Sequence, residues 1–146
     1  MRAGTPGLKP RTQSSLAVSR DGSEWVLPNA SPDLRQQIND APALSGAANG
    51  TLRDSPIKAA VLTNADVDHI AGLLNLREMQ PLTVYGTDRV LATLHANSVF
   101  SVLNADLVPR ITLPLDKPVA LQWAGKPLGL TIEAFAVPGK VALYLE

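Results

Sequence analysis

Asn64-Ala65-Asp66-Val67-Asp68-His69 decides how this chain is read. It follows the apolar run Ala59-Ala60-Val61-Leu62 and precedes Ile70-Ala71-Gly72-Leu73-Leu74. The continuous apolar run predicts a strand over 57–63 that is covered on both faces. A short helix is expected over 70–77, with Leu73, Leu74 and Leu76 apolar. A strand end fixes the backbone, and the turn after it aims oxygens and an imidazole at one point. Asp68 and His69 offer a carboxylate and an imidazole nitrogen, donors suited to Fe(II), Mn(II) or Zn(II). Asp66 shares a face with Asp68 in extended backbone, as a third ligand or as an acceptor that orients an imidazole. Asn64 is a poor ligand and reads as a backbone hydrogen-bonder. On residue chemistry alone, an aspartate capping the helix and a histidine packed beside it explain the same letters.

Counting donors limits the site. The chain has two histidines, and the other, His95, falls at the end of a predicted helix, where an exposed imidazole suits the dipole. There is no cysteine, so thiolate zinc sites, disulfides and thiol catalysis are excluded for this chain. A structural zinc site wants four nitrogen or sulfur donors, more than the chain supplies. A 2-His-1-carboxylate iron site needs three donors with positions left open, and a full set requires histidines absent here.

The 146 residues are enough for one domain, burying roughly 68–70% of the extended surface. Hydrophobic residues make up 45% and aromatics only 4%, so the core is aliphatic. Thirteen basic residues balance thirteen acidic ones without a block of either sign, which argues against nucleic acid or an anionic membrane as partner. No apolar stretch approaches the ~18 residues of a membrane span. The first ten residues lack the apolar core of a secretory signal, so a cytoplasmic location is expected.

Residues 1–10 read as a flexible segment and 11–146 as one domain. A hairpin is expected from strands 14–18 and 24–27 around the Asp21-Gly22 turn. Ser31 is the expected N-cap of the next helix, with Pro32 at its first position and Asp33 at its positive end. Further strands are expected at 82–85, 111–115, 128–137 and 141–145, with a helix from Asp88 to about His95. The alternation gives an α/β sandwich with a mixed sheet. Ser14, Asn29, Asp33 and Lys140 are substrate-contact candidates, each with a plainer role as solvated strand, cap or turn residue.

The register of residues 64–69 resembles the metallo-β-lactamase signature His-x-His-x-Asp-His, with only Asp68 and His69 intact. Several segments together are similar to coenzyme PQQ synthesis protein B, a family of that fold. They are Arg11-Thr12-Gln13-Ser14-Ser15, Asn29-Ala30-Ser31-Pro32-Asp33-Leu34, Asp66-Val67-Asp68-His69-Ile70-Ala71-Gly72 and Val137-Pro138-Gly139-Lys140. The resemblance implies a metallo-β-lactamase-like αββα sandwich of which this chain is the middle portion, roughly half. It implies a role in making pyrroloquinoline quinone (PQQ) from a Glu-Tyr-derived precursor, with other proteins of that pathway as partners. In the whole protein, Asp68, His69 and a later histidine would hold Fe(II) for oxygen-dependent hydroxylation of the tyrosine ring. Zinc fits less well, because Asn64 and Asp66 stand where a dinuclear zinc hydrolase has histidines. An accessory that carries PQQ or its precursor towards the periplasm is the alternative without chemistry. Half a sandwich is expected to be inactive alone and to dimerise through exposed apolar faces.

Overall fold

The computed structural model describes residues 7, 11–46, 54–77 and 79–139. Its centre is β2 (Ile57–Leu62), the strand expected from the apolar run, ending one residue earlier than expected. Strand β1 (Trp25–Pro28) pairs with it on one side and β3 (Thr83–Gly86) on the other, and β4 (Arg110–Thr112) extends the sheet beyond β3. All three pairings are parallel. Side chains alternate between the two faces. Leu27, Ala60, Leu62 and Val84 enter one core, while Val26, Ala59, Val61 and Tyr85 enter the other.

Helices cover the first face. They are α1 (Leu34–Asp40), α2 (Val67–Ile70) and α3 (Asp88–Ala96), with short 3₁₀ segments at Pro42–Leu44, Ala71–Leu76 and Ser98–Val102. Leu34, Leu73, Val90 and Leu94 drive them onto the sheet. Fully burying each such side chain contributes roughly 1.5–3 kcal/mol. The second face is covered by an antiparallel hairpin of β5 (Pro118–Trp123) and β6 (Lys126–Glu133), through Leu121 and Leu128. The layers run helix, parallel sheet, antiparallel hairpin, as an α/β sandwich requires.

Tyr85 ties the second layer down. The register of the hairpin shifts between Ala120 and Gln122. There the Tyr85 hydroxyl accepts from the Gln122 N–H at 2.7 Å and donates to its carbonyl at 2.9 Å. Trp123 donates from Nε1 to the Pro81 carbonyl at 2.8 Å, with the Lys58 ammonium 4.5 Å from its ring.

Several expectations change. The segment at 14–18 is not a regular strand. Val18 alone forms an antiparallel bridge to Val26, with Leu16 N–H donating to the Pro28 carbonyl, and this edge gives the sheet its mixed character. Ser31 does not cap α1 through its side chain. Pro32 and Asp33 form a turn first, and the Ser31 hydroxyl donates to Gln37 Oε1 at 3.1 Å. The helix expected over 70–77 begins at Val67 and tightens into 3₁₀ from Ala71. The strand expected at 111–115 is Arg110–Thr112, with Leu115 bridging Ala134 instead. Strand β5 was not expected, and β6 ends at Glu133 rather than 137. The strand expected at 141–145 lies outside the described residues.

Gly72 locks the α2 region to the exit of β1. Its N–H donates to the Ala30 carbonyl at 2.8 Å, and Ala30 N–H donates to the His69 carbonyl at 2.7 Å. A Cβ there would meet the Ser31 carbonyl and approach the Ala30 carbonyl carbon to 2.7 Å. Gly72→Ala is expected to lower the denaturant midpoint, by about 1–3 kcal/mol of overpacking strain. An unchanged midpoint would contradict this close approach.

The Asp21-Gly22 turn stands as expected, with Gly22 at φ +79°. Asp21 Oδ1 accepts from Ser23 N–H, Ser23 Oγ and Glu24 N–H. These bonds, Ser23's first, lower its pKa from 3.8 to about 2. A depressed carboxylate pKa stabilises the fold above the ordinary value, and that contribution is lost as pH falls through the folded value. Asp21→Asn should therefore flatten the pH dependence of stability between 3.8 and about 2, measured by thermal melts. Parallel profiles for both chains would refute it.

Candidate metal centre

Where β2 leaves the sheet, Ala65 is buried and pins the following turn to the core. Asp66 takes an extended conformation as the first residue outside α2, and its carbonyl accepts from His69 N–H at 2.9 Å and Ile70 N–H at 3.1 Å. No side chain caps this helix, so neither Asp66 nor Asp68 is used as a cap. Asp68 and His69 follow within its single turn.

The donor atoms of Asp66, Asp68 and His69 all lie within 4.8 Å of one another. Atoms bound at 2.0–2.2 Å to a common ion lie at most about 4.4 Å apart, so a small side-chain rotation closes the set. Two carboxylates and one imidazole suit a hard or borderline divalent cation and leave coordination positions open. His69 Nδ1 lies 2.6 Å from Asn64 Oδ1 and 3.7 Å from Asp68 Oδ1. Asn64 Oδ1 also accepts from Asp66 N–H at 2.9 Å, so Asn64 is the hydrogen-bonder the sequence implied.

An open cleft of about 1090 Å³ meets these residues. Asn64, Asp66 and Asp68 line it, together with Thr87 and Arg89 from the start of α3. Leu115, Phe135 and Val137 form an apolar wall, with Phe135 70% exposed. His69 is not on the cleft wall, and its side chain is 23% exposed. Arg89 makes no ion pair among the described residues. Sequence reasoning missed Arg89 and Phe135, because only the fold brings residues so far apart in the chain to one cleft.

The other candidates do not join the group. Asn29 has φ +64°, and its Oδ1 accepts from Thr63 N–H at 3.0 Å and Thr63 Oγ1 at 3.1 Å. It clamps the exits of β1 and β2 together. Asp33 Oδ2 accepts from Gln13 N–H at 2.8 Å and holds the N-terminal segment. Ser14 lines a separate recess beside Leu34 and Gln37. Lys140 lies outside the described residues. His95 is exposed in the last turn of α3, as expected.

A family model described as a Beta-lactamase superfamily domain matches residues 24–143. The chain belongs to this superfamily. Within it, the chain is 52% identical to the coenzyme PQQ synthesis protein B of Methylorubrum populi, over 99% of this chain and 46% of that protein. It is 54% identical to the protein of that name from Rhodopseudomonas palustris, over 93% of this chain and 44% of the relative. The chain thus spans about half the length of the curated relatives it matches. Zinc-bound PqqB from Methylobacterium extorquens superposes with a TM-score of 0.87 at 51% identity, covering 97% of this chain and 45% of that one. A diphosphatase of the PhnP family shares the superfamily fold at a TM-score of 0.57 and 22% identity, covering 75% of this chain and 39% of that one.

Anaerobic titration with Fe(II), and separately with Zn(II), is expected to give one binding event per chain. Asp66→Ala, Asp68→Ala and His69→Ala should each weaken it at least about tenfold, the scale on which even residues supporting metal ligands act. Undiminished binding in all three variants would place the metal elsewhere.

Proposed function

We propose that this chain serves PQQ biosynthesis, as the metal-bearing portion of a beta-lactamase-superfamily protein that hydroxylates the tyrosine ring of a Glu-Tyr-derived precursor. The observation that carries this reading is the convergence of Asp66, Asp68 and His69 at the end of β2. It is supported by about 52% identity to PQQ synthesis protein B along nearly the whole chain. When bound, Fe(II) would supply dioxygen activation. Ring hydroxylation takes one oxygen atom from dioxygen and sends the other to water, with two electrons from an external reductant.

The chain's own groups fit the remaining tasks. Asp66, Asp68 and His69 would hold the ion, and Phe135 and Val137 offer an apolar wall for an aromatic ring. Arg89 offers a guanidinium on the same cleft for a precursor carboxylate. A small-molecule or dipeptide precursor and other proteins of the pathway are the partners this reading requires. Zinc is the second reading for the ion, favoured by the zinc-bound relative.

Deleting the gene for the whole protein of which this chain is a portion should abolish PQQ, measured by mass spectrometry of cell extracts, and re-expression of that protein should restore it. Asp68→Ala re-expressed in its place should not. Normal PQQ levels in the deletion strain would overturn the pathway assignment. Full restoration by Asp68→Ala would overturn the role of the metal.

A further inference from the structure

We propose that Asn64 is the positioning residue of this centre. Its single oxygen, Oδ1, fixes both the backbone of Asp66 and the ring tautomer of His69, which leaves the Nε2 lone pair free to bind a cation. Oδ1 accepts from Asp66 N–H at 2.9 Å and lies 2.6 Å from His69 Nδ1. A backbone N–H only donates, so the oxygen of the Asn64 amide, not its nitrogen, must face it. The same atom faces the imidazole, and it has only lone pairs to offer. His69 Nδ1 must therefore carry the proton, and the free lone pair is on Nε2. Asp68 Oδ1, 3.7 Å from Nδ1, favours the same tautomer. Free imidazole side chains in water prefer the proton on Nε2, so this arrangement is imposed by the fold.

The surroundings hold Asn64 in place. Thr63, just before it, donates from N–H and Oγ1 to Asn29 Oδ1. His69 is fixed at its own backbone, donating to the Asp66 carbonyl at 2.9 Å and accepting from Ala30 N–H at 2.7 Å. A turn formed by Asn64 needs only the bond from Asp66 N–H. The short ring contact is additional, and it links two of the three grouped donor residues through one atom. The sequence departs from the histidine signature at this position, and the residue there supports a ligand in place of being one.

The consequence for metal affinity rests on the metal reading above, whereas the tautomer does not. The test is long-range ¹⁵N–¹H NMR of the metal-free chain at alkaline pH, with the His69 signals assigned by their loss in His69→Ala. The expected result is a protonated Nδ1 and a bare Nε2 at His69. In Asn64→Ala the proton should move towards Nε2, and Fe(II) or Zn(II) affinity should fall about 10–100-fold. Asn64→Asp keeps an acceptor oxygen and should keep the Nδ1–H tautomer. An Nε2–H tautomer in the unaltered chain would overturn the proposal. So would an Nδ1–H tautomer that persists in Asn64→Ala, which would give the role to Asp68. If Asn64→Ala fails to fold, Asp68→Ala decides: an Nδ1–H tautomer that survives there upholds the role of Asn64, and one that is lost gives the role to Asp68. A tautomer that follows Asn64 while no variant binds metal would uphold the positioning role and overturn the metal reading instead.

Discussion

The strand Ile57–Leu62 is buried on both faces, and the site depends on how it leaves the sheet. Its side chains feed two separate cores, so it can neither shift register nor tilt without exposing one of them. The next residues emerge at a fixed height and direction. In open parallel sheets, ligands bind beyond the carboxyl ends of the strands. The cleft follows that rule. Asn64, Asp66 and Asp68 follow β2, Thr87 and Arg89 follow β3, and Leu115 follows β4.

Electrostatics completes what the sheet positions. Two carboxylates and an imidazole gather there within 4.8 Å of one another. Asn64 Oδ1 fixes the His69 ring and the Asp66 backbone amide beside them. Asn29 adopts a left-handed backbone that asparagine tolerates better than most residues, and its side chain closes the clamp onto Thr63. Such strain clusters where a fold must over-determine a functional turn. The polar residues of the β1 exit, which the sequence offered as substrate contacts, are spent in this framework.

The legible parts of the fold were those written in local chemistry. The run Ala59-Ala60-Val61-Leu62 and the Asp21-Gly22 turn each name their element. Asp66, Asp68 and His69 were legible as a group because they fall within four consecutive residues after β2. Strand β5 carried a local signal that went unread, since Val119, Leu121 and Trp123 alternate with exposed Pro118, Ala120 and Gln122 and pack into the second core. The true start of α2 was hidden in the sequence. Val67 is 56% exposed, so no apolar face announces that turn, and what holds it is the bond between Ala30 and the His69 carbonyl. Arg89 and Phe135 reach the cleft through tertiary packing alone.

The most direct test is anomalous X-ray diffraction from crystals of the chain loaded with Fe(II) or Zn(II). The account predicts one anomalous peak bound by Asp66, Asp68 and His69 Nε2, with Asn64 Oδ1 still on Nδ1. A peak bound through Nδ1, or one away from the end of β2, would contradict it.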